Sequence, residues 1–258
     1  MLRKARITIL LYVLVLVLVG TWLSRIRATS WDEPLWVLVY PINADGSDVA
    51  RQYIESLGRE TFEPVETFFA VQARAHGVGL NRPFAVNVAA GPSVAPPALP
   101  EGAGTLMTMW WSLRLRYYAW GVEREQSAPP ANIQVFVLYH DPSGRPSLPH
   151  SLGLKEGLIG VVHAFAARRM TQTNNVIIAH EMLHTVGATD KYYPATGFPV
   201  FPDGFSEPEK SPRYPQSSAE LMGGRIPIAE GRARIPRALR QVRGGPKTAE
   251  EINWRRAD

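Results

Sequence analysis

One segment constrains the fold of this chain more than any other, because it must form a helix with two unlike sides. Residues 173–187 read Thr-Asn-Asn-Val-Ile-Ile-Ala-His-Glu-Met-Leu-His-Thr-Val-Gly. Thr173 or Asn174 can cap the first turn, and Gly187 suits the left-handed position that ends a helix. At 3.6 residues per turn, one stripe is apolar and can pack against a sheet: Val176, Ala179, Leu183 and Val186, with Ile178 and Met182 beside it. The opposite side carries Ile177, His180, Glu181 and His184.

The polar side of this helix predicts a metal site. His180 and His184 are four residues apart, so their imidazoles project from one face about one turn apart. Two neutral imidazoles with this spacing can bind one Zn²⁺ at about 2.0–2.1 Å. Glu181 lies beside them and can accept a proton from a water molecule that the metal activates, then pass it to a leaving amine. The segment therefore predicts a zinc-dependent peptidase with Glu181 as its general base.

A catalytic zinc site needs a third protein ligand and keeps one position for water. The chain has no cysteine, so disulfides and thiolate ligands are excluded and the metal must be held by His, Asp or Glu. Gly187 allows the chain to turn back sharply, and we expect Asp190 to approach the same metal. Two alternatives stay open: Asp190 is a surface residue that pairs with Lys191, or the ligand is a carboxylate further along, at Glu207, Glu209 or Glu220.

The stretch from His180 to Asp190 resembles the extended motif of the metzincin metallopeptidases, H-E-x-x-H-x-x-G-x-x-H, with Asp190 at the last position as in snapalysin-like members. The resemblance implies a zincin domain with a Met-containing turn beneath the metal, for which residues 219–224 offer Met222. It also implies a peptide substrate bound antiparallel to an upper edge strand, for which residues 157–165 are the candidate. Gly224 stands where the family has a Tyr, so a substitute phenol is sought among Tyr192, Tyr193 and Tyr214.

The order of the predicted elements indicates an α/β (α+β) fold with a mixed, twisted sheet. Apolar runs bounded by turn residues predict strands at 35–40, 84–89, 133–139 and 158–165. The first strand is expected to end before Pro41. Helices are predicted from Ser47 or Asp48 to about Leu57 and at 61–75, 105–120 and 173–186, with Pro64 in the first turn of the second helix.

The composition of the chain changes after Asp190. Six prolines between Pro194 and Pro215 argue against regular elements until about Pro246, after which a short helix is predicted at 248–255. We therefore expect one catalytic domain at 29–258, with an upper part at 29–187 and an irregular C-terminal subdomain at 188–258.

The N-terminal residues 1–28 differ from the rest. Arg3, Lys4 and Arg6 precede residues 7–23, which carry no charge and cover roughly 25 Å as a helix. We expect a cytoplasmic stub and an uncleaved signal anchor, because the apolar run is long and no A-x-A-like cleavage site follows. The protein would then cross the membrane once, with its catalytic domain on the extracytoplasmic side. A cleaved signal peptide and a secreted domain are the alternative.

Positive charge is concentrated late in the chain. The net charge is +5, and nine basic residues between Arg225 and Arg256 stand against three acidic ones. We expect a solvated, irregular tail, with contact to anionic lipid as the second interpretation. Nucleic-acid binding is not expected, because no recognition motif accompanies the charge. No feature of the sequence indicates an oligomeric state.

Two other functions remain open at this point. The chain could keep the zincin fold as a catalytically silent binding or assembly module on the membrane. Glu181 argues against that function, because a structural zinc needs no base and is closed by four protein ligands. The chain could also be a zinc amidase that acts on cell-wall peptides.

Overall fold

A five-stranded mixed sheet lies at the centre of the computed structural model, which describes Tyr12 and residues 29–100, 102–125, 131–144, 147–154 and 158–254. Its strands are β1 (Leu35–Asn43), β2 (Phe84–Val88), β3 (Ile133–His140), β4 (Leu152–Leu154) and β5 (Ile159–Phe165). They are arranged in the order β2-β1-β3-β5-β4. All neighbours are parallel except β4, which is antiparallel to β5. The predicted α/β fold with a mixed sheet is confirmed at this level.

Helices cover both faces of the sheet. They are α1 (Asp48–Glu55), α2 (Arg59–Ala75), α3 (Thr105–Glu125), α4 (Thr171–Val186) and α5 (Pro246–Glu251). Because side chains alternate along a strand, the sheet has two apolar faces. Val37 and Val39 of β1 belong to the core shared with α1, α2 and α4. Leu38 and Tyr40 face the other way and pack in the core of α3.

Several element bounds differ from the sequence-based prediction. Ser47 caps α1 as expected, since its side chain accepts a hydrogen bond from the Ala50 N–H at 3.1 Å. Helix α2 begins at Arg59, so Pro64 is its sixth residue and does not lie in the first turn. Helix α3 continues to Glu125, beyond the predicted end at Trp120.

Strand β1 does not end before Pro41 but continues to Asn43. The pairing of β1 with β2 ends at Val39, which lies opposite Val88, whereas its pairing with β3 continues to Asn43. The carbonyl of Val39 accepts from Ala89 on the β2 side, so the nitrogen of Pro41 also faces that side. A proline is tolerated at position 41, because the pairing with β2 has ended and no β2 carbonyl would accept a hydrogen bond from an N–H there.

The strand predicted to form the edge of the sheet is in fact interior. Residues Ile159–Phe165 form β5, which lies between β3 and β4. The edge belongs to the three-residue strand β4, which the sequence does not reveal because so short a run carries no periodicity. Its middle residue, Gly153, lies opposite Gly160 of β5.

The C-terminal subdomain is irregular but not a solvated tail. Its strands β6 (Ala219–Glu220), β7 (Ile226–Ala229), β8 (Arg232–Arg234) and β9 (Val242–Arg243) form two small two-stranded sheets. Val242, Ile252 and Trp254 are buried in the same core as α4, which contradicts the expected solvated tail. Helix α5 ends at Glu251, and residues 255–258 lie outside the described part of the chain.

No helix within the described residues is long and apolar enough to cross a membrane. The predicted anchor at residues 7–23 lies, apart from Tyr12, outside them.

Candidate metal centre

Helix α4 has the buried stripe that its sequence predicts. Val176, Ala179, Leu183 and Val186 are all less than a tenth exposed. The helix begins at Thr171, two residues before the predicted cap, and Met170 precedes it without a side-chain hydrogen bond. Its end is the predicted one: Gly187 has φ 115°, and its N–H donates to the carbonyls of Leu183 and His184 at 3.1 Å. This left-handed residue redirects the chain toward the face that carries the histidines.

Three ligand atoms meet at the turn after α4. His180 Nε2 and His184 Nε2 are 3.1 Å apart, and Asp190 Oδ1 lies 3.1 Å from each of them. In a tetrahedral zinc site with bonds of about 2.0–2.1 Å, neighbouring ligand atoms are about 3.3–3.4 Å apart. The residues predicted to bind the metal are therefore brought together with nearly the spacing that one zinc ion requires. Within the described residues, they are the one group of three such side chains that converges.

The backbone fixes which nitrogen of each histidine faces this point. Nδ1 of His180 donates to the Leu221 carbonyl at 2.9 Å, and Nδ1 of His184 donates to the Ala188 carbonyl at 2.8 Å. A neutral imidazole that donates through Nδ1 presents a lone pair at Nε2. Two lone pairs and a carboxylate oxygen then face one another, which is unfavourable unless a cation lies between them. Metal-binding histidines commonly have this arrangement, with the second ring nitrogen bonded to a carbonyl.

The electrostatics of the site favour positive charge. A proton on Nε2 can take the place of a metal: burial lowers the pKa of His180, but the hydrogen bond of the protonated ring to Asp190 and the charge of Glu181 outweigh burial and raise the pKa to about 8. Burial would raise the pKa of Asp190, but hydrogen bonds to both histidines hold it well below its usual range. The Asp190 side chain is 42% exposed, against 14% and 17% for His180 and His184, so the site opens to solvent on that side.

Glu181 is enclosed between α4 and the edge strand. It is 5% exposed, and its Oε2 has no hydrogen-bond partner. Burial raises the pKa of Glu181, while the charges of His180 and His184 oppose this shift. Strand β4 approaches α4 closely at Gly153. A Cβ atom at this position would collide with the Cβ of His184 and lie 2.7 Å from the Glu181 carbonyl oxygen, so a glycine is needed here. Sequence reasoning missed Gly153, which no motif marks.

Asp190 is held by the two residues beside it. The carboxylate of Glu251 on α5 accepts from the Thr189 N–H at 2.9 Å, from the Thr189 hydroxyl at 2.7 Å and from Lys191 Nζ at 2.7 Å. Lys191 Nζ also donates to the Thr189 carbonyl at 3.0 Å. The alternative in which Asp190 pairs with Lys191 at the surface is therefore wrong, because Lys191 is buried and pairs with Glu251. The sequence alone does not predict that Thr189 and Glu251 position Asp190.

The predicted Met-containing turn lies next to the histidines. The carbonyl that binds His180 belongs to Leu221, and the neighbouring Met222 is fully buried. The Met222 carbonyl accepts from the Lys191 N–H at 2.9 Å, which connects this turn to the Asp190 loop. Glu220 anchors the turn from below, since its carboxylate accepts from the N–H groups of Gly223 and Gly245 and from the Thr248 hydroxyl. Burial raises the pKa of Glu220, and these hydrogen bonds offset only part of the shift.

A scan against models of known protein families gives no match, and a search of curated proteins finds no similar sequence. The assignment of the candidate site therefore depends on the geometry of its side chains alone.

The other candidate residues lie away from the three ligand atoms. Glu207 accepts from the Ser217 N–H at 2.8 Å, Glu209 is exposed and Glu220 is fully buried, so none of the three joins the histidines. Among the tyrosines, the ring centroid of Tyr192 is 6.4 Å from that of His180. Burial and then Asp190 raise the pKa of Tyr192 to about 12. Tyr193 is largely exposed and Tyr214 packs near Phe205.

Proposed function

We propose that this chain is a zinc-dependent peptidase, held in the membrane by an anchor in residues 7–23 with its catalytic domain on the extracytoplasmic side. The observation that carries the proposal is the meeting of His180 Nε2, His184 Nε2 and Asp190 Oδ1 within 3.1 Å of one another. Three protein donors leave a fourth position open, which is the pattern of catalytic zinc sites; structural sites are closed by four.

Bound Zn²⁺ would lower the pKa of a water molecule and polarise the scissile carbonyl of a peptide. The remaining tasks fall to side chains of this chain. The unpartnered Oε2 of Glu181 can accept the proton of the attacking water. Burial raises the pKa of Glu181, which makes the protonated form accessible for the next step. Glu181 then returns the proton to the leaving amine, as general base followed by general acid.

Strand β4 is the surface that would align a peptide substrate. It lies at one end of the sheet order, so one of its edges can pair with an added strand. The strand contacts the catalytic helix through Gly153, directly over His184 and Glu181. A peptide paired antiparallel with β4 would therefore run past the ligand atoms and the base with its backbone fixed.

The resemblance to metzincins agrees with three further features of the chain. The edge strand β4 is antiparallel to its neighbour in an otherwise parallel sheet. Met222 lies in a turn whose backbone supports His180. Tyr192 stands beside His180 and Asp190, where its hydroxyl can stabilise the oxyanion that the missing family tyrosine would otherwise serve. We propose Met222 and Gly187 as structural supports of the site.

The test is the substitution Glu181→Gln in the full chain. We expect zinc content to stay at that of the wild type and kcat/KM on a peptide library to fall about 10²–10⁴-fold, because the metal ligands remain while the base is lost. Glu63→Gln, at an exposed position on α2, is the matched control and should leave both quantities unchanged.

Unchanged turnover in Glu181→Gln would contradict the mechanism. A wild-type protein that binds one zinc but cleaves no library member would favour the silent binding module. Cleavage confined to cell-wall peptides would favour the amidase.

A further inference from the structure

Helix α3 has two apolar faces, and only one of them is covered. Trp111, Leu115, Ala119 and Val122 pack against the sheet. At about 100° per residue, a second set lies on the opposite side of the helix. This set, which we name the outer stripe, consists of Leu106, Met109, Trp110, Leu113, Tyr117 and Trp120, and each member is 49–83% exposed. Monomeric soluble proteins rarely leave so long an apolar surface in water.

Arginines border the outer stripe. Arg114 and Arg116 project on its two flanks, and the guanidinium of Arg124 lies 4.7 Å above the ring of Trp120. The acidic residues of α3, Glu123 and Glu125, are confined to its last turn. An apolar ridge rich in Trp and Tyr with arginine on both flanks is typical of helices that lie in the interface of an anionic bilayer. Arginine can lay its stem on the apolar surface and direct its head to lipid phosphates.

Another exposed aromatic residue, Trp36, lies on the same face of the sheet as α3. Trp36 of β1 is 52% exposed and, by alternation with Leu35 and Val37, faces the α3 side of the sheet. Its backbone N–H donates to Asn132 Oδ1, and Asn132 follows the end of α3 by seven residues. The end of α3 and Trp36 thus lie toward the amino-terminal ends of β1 and β3. The described chain also begins before β1, but Thr29 accepts a hydrogen bond from Asn253 and Trp31 packs on Trp254, on the face of the sheet opposite α3.

The predicted span at residues 7–23 ends six residues before Thr29, a separation of at most about 20 Å. A membrane that holds this span would therefore lie within about 20 Å of Thr29, at the end of the molecule where β1 and β3 begin. We propose that the outer stripe of α3 lies in the headgroup region of an anionic bilayer, as a second membrane contact beside the anchor. The contact rests on the anchor of the proposed function but is independent of zinc binding and catalysis.

The absence of cysteine allows a direct test with single spin labels. The full chain carries Leu113→Cys in the outer stripe or, as the control, Val71→Cys, which is exposed on α2 across the sheet. Each labelled protein is reconstituted in vesicles of phosphatidylcholine and phosphatidylglycerol. We expect the label at position 113 to be relaxed more by oxygen than by a water-soluble nickel complex, and the label at position 71 to show the reverse.

Three outcomes would overturn the proposal. One is failure of the protein to float with the vesicles. The second is equal access of the nickel complex at positions 113 and 71, which would place the stripe in water. The third is protection of position 113 from both reagents, which would indicate cover by protein, such as a second copy of this chain. Equal immersion in vesicles of phosphatidylcholine alone would overturn the role of the arginines. Circular dichroism of each labelled chain checks that the fold is retained.

Discussion

The two parts of this molecule build one site by different means. In the upper part, a long helix packed on a sheet supplies His180, Glu181 and His184, and its position follows from burial of apolar side chains. In the C-terminal subdomain at 188–258, the lower part, Asp190 lies on a loop without regular structure, and buried charged groups hold it. A ligand on a helix is positioned by the core, whereas a ligand on a loop needs hydrogen bonds to its neighbours.

Helix α5 contains this contrast within two adjacent residues. Glu250 points outward and forms an exposed pair with Lys247 at 3.2 Å. Glu251 points inward and pairs with the buried Lys191 at 2.7 Å. The two pairs have similar geometry, but burial makes the inner one far more costly to break. They provide matched positions at which the role of the lower part can be tested.

The largest effect is expected for Lys191→Met. The substitution leaves the Glu251 carboxylate largely buried without its cation, which costs about 3 kcal/mol of unfolding free energy. Urea denaturation of the zinc-free protein measures this loss, and Lys247→Met is the control, expected to unfold like the wild type. Equal stability of the two variants would contradict the positioning role of the inner pair.

A smaller effect is expected in the upper part, for Gly153→Ala. The added methyl would collide with His184, so β4 and α4 must separate, at a cost of about 2 kcal/mol. Gly160→Ala lies opposite in the sheet and meets its nearest neighbour, a methyl of Val135, at 3.6 Å, which is ordinary contact. We expect weakened zinc binding by calorimetry only in Gly153→Ala. If both variants bind zinc like the wild type, the close contact of β4 with His184 at Gly153 does not matter for the metal site.

The same contrast explains which features the sequence predicts. The sequence predicts helix α4 because its apolar period and Gly187 are local signals. It predicts the strands β2, β3 and β5 because they are apolar runs. Asp190 was predicted from the turn that Gly187 permits. Strand β4 and its contact at Gly153 are invisible, because they depend on residues far apart in the chain. Glu251 and Lys191 look like ordinary surface charges until the fold brings them together across 60 residues.

Glu251→Gln is expected to weaken the metal site moderately. The amide keeps the size of the side chain but loses the charge that orders Thr189 and Lys191, the neighbours of Asp190. Loss of such a supporting group costs about tenfold in metal affinity, or about 1.4 kcal/mol. Competition with a chelator measures the zinc dissociation constant, and Glu250→Gln is the control. A wild-type constant for Glu251→Gln would show that Asp190 does not need this support.

The smallest effect concerns pH. Burial alone would raise the pKa of Glu251, but the hydrogen bonds from Lys191 and Thr189 lower it below its ordinary value. A carboxyl with a lowered pKa in the folded state stabilises the fold above its unfolded pKa of about 4.3, and this stabilisation disappears as the pH falls through the folded pKa. In zinc-free protein, the wild type should therefore exceed Glu251→Gln by about 1 kcal/mol of unfolding free energy at pH 7. This loss is smaller than that of Lys191→Met, because the amide oxygen of Gln can still accept from Lys191 and Thr189. The difference should shrink toward zero below about pH 4, in urea denaturation at successive pH values. A difference that grows on acidification would mean that the ionised Glu251 destabilises the fold, and that the lower part is held by other contacts.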